Sequence, residues 1–245
     1  MILTIANQKG GTAKTTTAAA IAQGAAHRGR KVLVIDLDPQ GNLTLFAGAN
    51  AQHAGAFELM AGSAPACDCI QHTAAGNLDV IAASWNLSTI SSSTGSAYRL
   101  HNALRPLQNV GLYDLIVIDT PPTAGELQYN ALIASTRLLI PLKPDTGSLQ
   151  GLYQIADTAA RIQQTNNALQ IAGYLLTCCG RSTLHRQLAA QIEEAASARG
   201  IPYCGSIRQG VAVQEAQTLQ RSLYDYAPNS KPAQDYLTVL DALHL

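Results

Sequence analysis

The feature that most constrains this chain is a glycine-rich turn between a short apolar run and a run that predicts a helix. The apolar run ends at Ala6, and the helical run begins near Lys14. Successive backbone N–H groups in such a turn point at one spot, and the N-terminus of the helix adds the positive end of its dipole. The turn therefore predicts a phosphate site made of Lys9, Gly10, Gly11, Thr12, Ala13, Lys14, Thr15 and Thr16.

Two side chains of this turn suit a nucleoside triphosphate bound with Mg²⁺. Lys14 is placed to reach the β- and γ-phosphate oxygens, and Thr15 offers a hydroxyl group to the metal ion. The strict phosphate-loop pattern would have glycine where Gln8 and Ala13 stand. Ala13 would strain the turn if its position needs a positive φ angle. An ordinary strand–turn–helix connection, or a phosphate loop that has lost its function, is the alternative interpretation.

Short apolar runs recur along the chain, and most of them are continuous rather than alternating. Continuous runs are typical of strands that are buried on both faces, as in a parallel sheet covered by helices. The predicted strands are Ile2–Ala6, Val32–Ile35, Leu78–Ala82, Leu115–Ile118, Leu138–Ile140, Ile171–Leu176 and, more weakly, Tyr203–Ile207.

Helical stretches lie between these strands, and the alternation predicts an α/β fold with a doubly wound, mostly parallel sheet. The predicted helices are Lys14–His27, Ser96–Gln108, Ala124–Ser135, Ser148–Gln164, Leu184–Arg199, Val213–Arg221 and Pro232–Leu240. Gly48–Gly76, with a short helical piece at Phe57–Met60, and Ser84–Gly95 are interpreted as insertions. We expect one domain over residues 1–245, because a chain of this length with 47% hydrophobic residues can bury one sizeable core.

The composition of the chain indicates its surface charge and its cellular compartment but not its reaction. Sixteen basic residues balance sixteen acidic ones, so any electropositive surface must be a local patch. No apolar run reaches the roughly 18 residues of a membrane span, and because polar residues interrupt the apolar stretch after Ala6, we expect that it is not a signal peptide. The five cysteines are odd in number and irregularly spaced, which predicts a reduced, cytoplasmic protein. The pair Cys67 and Cys69 is the alternative, a metal site, but no second pair or histidine stands at zinc-like spacing.

Three carboxylates follow two of the predicted strands. Asp36 and Asp38 come after the second strand, and Asp119 comes after the fourth. Open α/β sheets bind ligands at the carboxyl ends of their strands, and Mg²⁺ takes oxygen ligands. Together with Thr15, these acids predict a magnesium site beside the phosphates. The alternative is that Asp-Pro and Asp-Thr-Pro-Pro are simply turns that end strands.

Lys9 stands five residues before Lys14, and this extra lysine resembles the signature of the deviant Walker A group of ATPases. That group includes ParA, MinD, the nitrogenase iron protein and ArsA-like ATPases. The resemblance implies a homodimer that forms on ATP binding, with Lys9 crossing to the partner's nucleotide. It also implies that Asp38 positions or polarises the attacking water, that Asp36 holds a water on Mg²⁺, and that Asp119 is the Walker B acid.

The resemblance to the short form of ParA, which lacks an N-terminal helix-turn-helix, covers nearly the whole chain. The segments Pro141–Pro144, Gly173–Thr177 and Ser222–Ser230 are similar to ParA segments. By this resemblance the function is DNA partitioning, with slow ATP hydrolysis stimulated by a ParB-like centromere-binding protein. It also implies non-specific binding of DNA, a nucleoid-associated protein in the cytoplasm, and contacts of Thr177 and Arg208 with the adenine.

The chain departs from the family at a position that is linked to DNA binding. Relatives carry an arginine, implicated in DNA binding, where this chain has Ala212. The remaining candidates for phosphate contacts, each of which is otherwise an ordinary solvated charge, are Arg181, Arg186, Arg199, Arg221 and Lys231.

Three other functions remain as alternatives. A MinD-like membrane switch needs a basic amphipathic C-terminal helix, but residues 235–245 carry two acids and no lysine or arginine. A redox subunit needs two widely separated cluster cysteines, and none lies between Cys69 and Cys178. A nucleotide-dependent scaffold that does not hydrolyse ATP would follow if Ala13 disables the phosphate loop.

Overall fold

A single eight-stranded sheet organises the protein, as seen in a computed structural model that describes residues 1–90, 96–180 and 182–245. In spatial order the strands run β3-β4-β2-β5-β1-β6-β7-β8. In chain order the strands are β1 (Ile2–Ile5), β2 (Val32–Asp36), β3 (Ile70–His72), β4 (Leu78–Ile81), β5 (Leu115–Asp119), β6 (Arg137–Leu142), β7 (Gln170–Cys179) and β8 (Tyr203–Arg208).

Every neighbouring pair of strands is parallel except β3 and β4. Because β2, β5 and β1 are adjacent, the segments that follow these three strands leave the same edge of the sheet side by side. The register places Asp36 opposite Asp119 and Ile5 opposite Asp119. This topology brings the glycine-rich turn and the acidic segments together.

Helices cover both faces of the sheet. They are α1 (Lys14–His27), α2 (Asn42–Phe46), α3 (Ala56–Ala61), α4 (Ala66–Cys69), α5 (Arg99–Val110), α6 (Glu126–Ala134), α7 (Ser148–Gln163), α8 (Thr183–Ser197), α9 (Val211–Thr218), α10 (Leu223–Tyr226) and α11 (Lys231–Ala242). Alternate strand residues point to opposite faces, so Leu3 and Ile5 pack with α1 and α11 while Ile2 packs with α3 and α5. A third cluster joins α7 and α8 to β6 and β7.

The predicted fold is confirmed, and the main error is a short strand at the edge of the sheet. Strand β3 was missed inside the supposed insertion Gly48–Gly76, because it has three residues, lies at the edge of the sheet and lacks a continuous apolar run. The short helical piece at Phe57–Met60 is confirmed as α3. Residues 91–95 of the other insertion lie outside the described residues. Within the part of the chain that is described, no helix is both long and apolar enough to cross a membrane.

Candidate functional site

The glycine-rich turn joins β1 to α1 in a left-handed backbone conformation. Gly11 has a φ of 72° and Ala13, at the N-cap of α1, has a φ of 60°. The expected strain at Ala13 is therefore real, at roughly 1–2 kcal/mol for a non-glycine residue in this region. Ala13 has no side chain that caps the helix, so the first N–H groups of α1 are left for another acceptor. This is the arrangement that an anion needs.

Lys14 lies at the start of α1 with its side chain buried. Its Nζ donates a hydrogen bond to the carbonyl oxygen of Lys9, 3.1 Å away. Burial lowers the pKa of Lys14, while the charges of Asp119 and Asp38 act to raise it. The ammonium group is thus drawn from water and faces the acids across the turn, where phosphate oxygens would give it anionic partners.

Asp36 is held by the segment that follows β2. Its Oδ2 accepts hydrogen bonds from the backbone N–H and the hydroxyl of Thr44, both at 2.8 Å, and its Oδ1 accepts one from the Asp38 N–H at 3.0 Å. Burial raises the pKa of Asp36 to about 6, although the bonds from Thr44 oppose that shift. Asp38 is largely buried and accepts one bond, from the Gln40 N–H at 3.0 Å.

Asp119 has the chemistry of a metal ligand. It is fully buried, and its Oδ1 accepts a hydrogen bond from the Thr120 N–H at 3.0 Å. Thr15 lies close enough to act on its pKa, yet none of the described residues donates to Oδ2 in hydrogen-bonding geometry. Burial and then the charge of Asp36 raise the pKa of Asp119. A buried carboxylate oxygen without a donor fits a cation, so these residues suit Mg²⁺.

The buried acids predict a pH dependence for the protein without metal or nucleotide. An acid whose pKa is raised on folding binds protons more tightly in the folded state, so its contribution to stability falls as pH rises. For Asp36, the shift from 3.8 to about 6 corresponds to about 3 kcal/mol in full, of which about 2 kcal/mol is lost between pH 4.5 and 7. Urea unfolding in EDTA at pH 4.5 and 7 measures this loss. Asp36→Asn should flatten the dependence, and an unchanged slope in that variant would contradict the assignment.

Lys9 is bound by its own chain in this structure. Its Nζ contacts the Asp145 carboxylate, the Thr146 carbonyl oxygen at 2.7 Å and Ser148 Oγ at 3.3 Å. Burial acts to raise the pKa of Asp145, but hydrogen bonds from Lys9 and Ser148 outweigh it and hold that pKa below its usual value. The loop between β6 and α7 therefore holds the ammonium group of Lys9 within the protomer.

A cavity of about 440 Å³ opens beside the turn and is lined by the residues predicted to meet a base. Thr177 is at its wall, and its Oγ1 donates to the Thr12 carbonyl oxygen at 3.1 Å, so β7 supports the turn. Arg208 also lines this cavity, and its Nε and a terminal nitrogen donate to the Asp235 carboxylate at 2.6–3.1 Å. The hydroxyl of Thr177 is committed to the turn, whereas the guanidinium group of Arg208 is half exposed.

Four of the five candidates for DNA contacts fall within the described residues. Arg199 pairs with Asp157 at 2.8 Å and lies over the ring of Tyr153. Arg221 lies over the ring of Tyr226. Arg186 and Lys231 are both at or near the start of a helix, in α8 and α11 respectively, and Lys231 is exposed. Arg181 lies outside the described residues.

Sequence reasoning missed several residues that shape the site. Thr44, which holds Asp36, and Asp145, which holds Lys9, lie far from their partners in the chain or outside any motif. Gln128 on α6 is fully buried beside the loop that follows β5. Because α6 also carries Glu126 and Asn130, no local pattern singles out Gln128.

Comparison with known proteins identifies relatives over almost the full length. Residues 1–171 match the AAA domain family. The chromosome partitioning protein ParA of Caulobacter vibrioides is 34% identical over 244 residues, covering 96% of this chain and 91% of that protein. The chromosome-partitioning ATPase Soj of Thermus thermophilus is 31% identical over 241 residues, covering 96% and 91%.

One similar solved structure contains a bound nucleotide analog and a metal ion. The structure of cobyrinic acid a,c-diamide synthase from Mycobacterium smegmatis, which contains an ATP analog and magnesium, is 30% identical to this chain. It superposes with a TM-score of 0.81 and covers 99% of this chain and 93% of that one. This chain is thus similar to proteins that carry both ligands for which its turn and acids are suited.

Proposed function

Because this chain belongs to the ParA/Soj family of P-loop ATPases, we propose that MgATP binding and slow hydrolysis control its dimerisation and its attachment to DNA. Membership makes it a ParA-type, nucleotide-dependent ATPase. We also propose the steps of its partition cycle and a role for each residue of the site.

One observation carries the proposal. An uncapped helix N-terminus, a buried lysine and a buried carboxylate oxygen without a donor meet at one edge of the sheet. The first two suit phosphates, and the third suits the metal ion that accompanies them. An ordinary strand–turn–helix connection would have no reason to leave Asp119 Oδ2 without a partner in the interior, where each unsatisfied polar group costs free energy.

Each residue of the site has a separate role in MgATP binding and hydrolysis. The N–H groups of residues 10–16 and the ammonium group of Lys14 bind the phosphates. Thr15 and Asp119 would hold Mg²⁺, and Asp36 would orient a water on it; the ion, when bound, neutralises charge on the β- and γ-phosphates. Asp38 accepts a proton from the attacking water. Thr177 and Arg208 lie in the wall of the cavity that would receive the adenine.

Dimerisation requires a change at Lys9. In the described protomer, Asp145, Thr146 and Ser148 bind its ammonium group. If Lys9 reaches the nucleotide of a second protomer, it must leave these acceptors, and the phosphates must offer a stronger set of negative partners. Two protomers would then complete each other's sites in a homodimer that depends on ATP.

Attachment to DNA would follow from the dimer. Non-specific binding relies on neutralising phosphates, and doubling the basic residues on one face increases the number of such contacts. A ParB-like centromere-binding protein would stimulate hydrolysis and release the dimer from the nucleoid. The membrane alternative is disfavoured because the apolar residues of α11, among them Tyr236, Val239 and Leu240, are buried against the core.

DNA retention measured with ATP, ADP or no nucleotide, across a salt series, tests the function. We expect retention with ATP alone and a steep loss with salt, since a protein with about six phosphate contacts loses roughly 10³-fold in affinity between 50 and 200 mM salt. Retention that does not depend on nucleotide would contradict the proposal. ATP-dependent sedimentation with anionic liposomes, without DNA retention, would favour the MinD-like alternative instead.

A further inference from the structure

Gln128 presents a buried hydrogen-bond donor that has no acceptor. The side chain lies on α6 and is 0% exposed. No acceptor for its Nε2 exists in residues 1–90, 96–180 and 182–245. A buried donor without a partner costs about 1–3 kcal/mol, and such groups in folded proteins call for an explanation. Since an amide nitrogen only donates, the missing partner must offer an oxygen or another acceptor.

The orientation of this amide is set from the opposite side. Gln8 Nε2 donates to Gln128 Oε1 at 3.3 Å and to Thr158 Oγ1 at 2.9 Å. Thr158 in turn donates to the Gln154 carbonyl oxygen at 2.8 Å. Gln8 directly precedes Lys9 in the phosphate turn, so the oxygen of Gln128 is committed to that turn. The nitrogen is left for a different partner.

One cavity is lined both by Gln128 and by Asp38, the proposed acceptor of the proton. This cavity, of about 450 Å³, is lined by the segment after β2, with Asp38 and Pro39, and by the segment after β5, with Pro121 and Pro122. Gln128 and Asp38 both belong to its wall. The Gln128 side chain and the Asp38 carboxylate therefore border one volume, at the edge where the segments after β2 and β5 leave the sheet.

We propose that Gln128 is a water-positioning residue for ATP hydrolysis, with Nε2 donating to the oxygen of the water whose proton passes to Asp38. This inference rests on the proposed function. One lone pair of the water oxygen accepts the amide N–H and the other attacks the γ-phosphorus. The new O–P bond forms as the bond between the γ-phosphorus and the β-phosphate oxygen breaks. ADP leaves with that electron pair, and Asp38 takes the proton. A glutamine that orients the attacking water is a recurring part of such sites.

Gln128→Met separates this role from a structural one, because methionine is of similar length and removes the amide. Gln8 keeps its bond to Thr158 in the variant. We expect kcat to fall by about 10²-fold, with KM for ATP and ATP-dependent dimerisation changed by less than about threefold. The melting temperature of the nucleotide-free protein should stay the same or rise, because an unsatisfied donor has been removed.

Gln128→Ala adds no bulk, so it repeats the test without the risk of overpacking. The matched control is Gln191→Met, because Gln191 is an exposed glutamine on α8. An unchanged kcat in both Gln128 variants overturns the inference. So does a fall in melting temperature with a parallel loss of dimerisation, which would make the amide structural. A wild-type protein that binds ATP without hydrolysing it would overturn the proposed function itself, and this inference with it.

Discussion

Lys9→Ala is expected to abolish ATP-dependent dimerisation at micromolar protein and to bring ATP turnover to background. Each dimer would lose two ammonium–phosphate contacts, one in each site. A hydrogen bond to a charged group contributes about 1.5–3 kcal/mol, so two of them correspond to roughly 10²–10⁴-fold in dimer affinity. Analytical ultracentrifugation with ATP and a phosphate-release assay measure both effects, and ATP binding by the monomer should persist through Lys14.

Because Asp145 binds Lys9 within the protomer, a substitution at Asp145 is expected to have the opposite effect on dimerisation. Asp145→Asn removes the carboxylate that holds Lys9 within each protomer, so it should strengthen ATP-dependent dimerisation by roughly 10²-fold, since each dimer releases two charge-assisted bonds. Lys31→Ala, which removes an exposed lysine just before β2 at the other edge of the sheet, is the control. If Lys9→Ala dimerises and hydrolyses ATP normally, the crossing mechanism is wrong.

Asp38→Asn is expected to lower ATP turnover by about 10²–10⁴-fold, the usual contribution of a positioned general base. Asparagine keeps the acceptor that the Gln40 N–H uses in the turn, so the loop after β2 should keep its shape. MgATP should still bind, and the dimer should live longer because hydrolysis no longer ends it. Single-turnover hydrolysis and the dissociation rate of the dimer are the measurements.

The neighbouring acid provides the contrast for this variant. Asp36 holds Thr44 through two hydrogen bonds, so Asp36→Asn should lower stability and MgATP affinity, whereas Asp38→Asn should lower turnover alone. A variant of Asp38 that turns over ATP at the wild-type rate would show that another group takes the proton. The same result would remove the geometric basis for the role given to Gln128.

Local chemistry explains why so much of the fold was predictable. Each central strand is a continuous apolar run because both of its faces are covered, and this pattern is visible in the chain itself. The turn between β1 and α1 was also predictable, since a glycine-rich stretch between an apolar run and a helical run is a local pattern; its binding of phosphate stays a prediction. The edge strand β3 was not, because pairing on one side only leaves a weaker pattern.

The sequence by itself determined seven of the eight described strands, the turn and the placing of Asp36, Asp38 and Asp119 at strand ends. Only the tertiary structure decided which distant side chains meet them. Lys9 meets Asp145 across 136 positions, and Gln8 meets Gln128 and Thr158 across 120 and 150. The physical reason is that hydrogen bonds and desolvation depend on distances of a few ångströms, which the packing of α6 and α7 on the sheet sets and which no local pattern encodes.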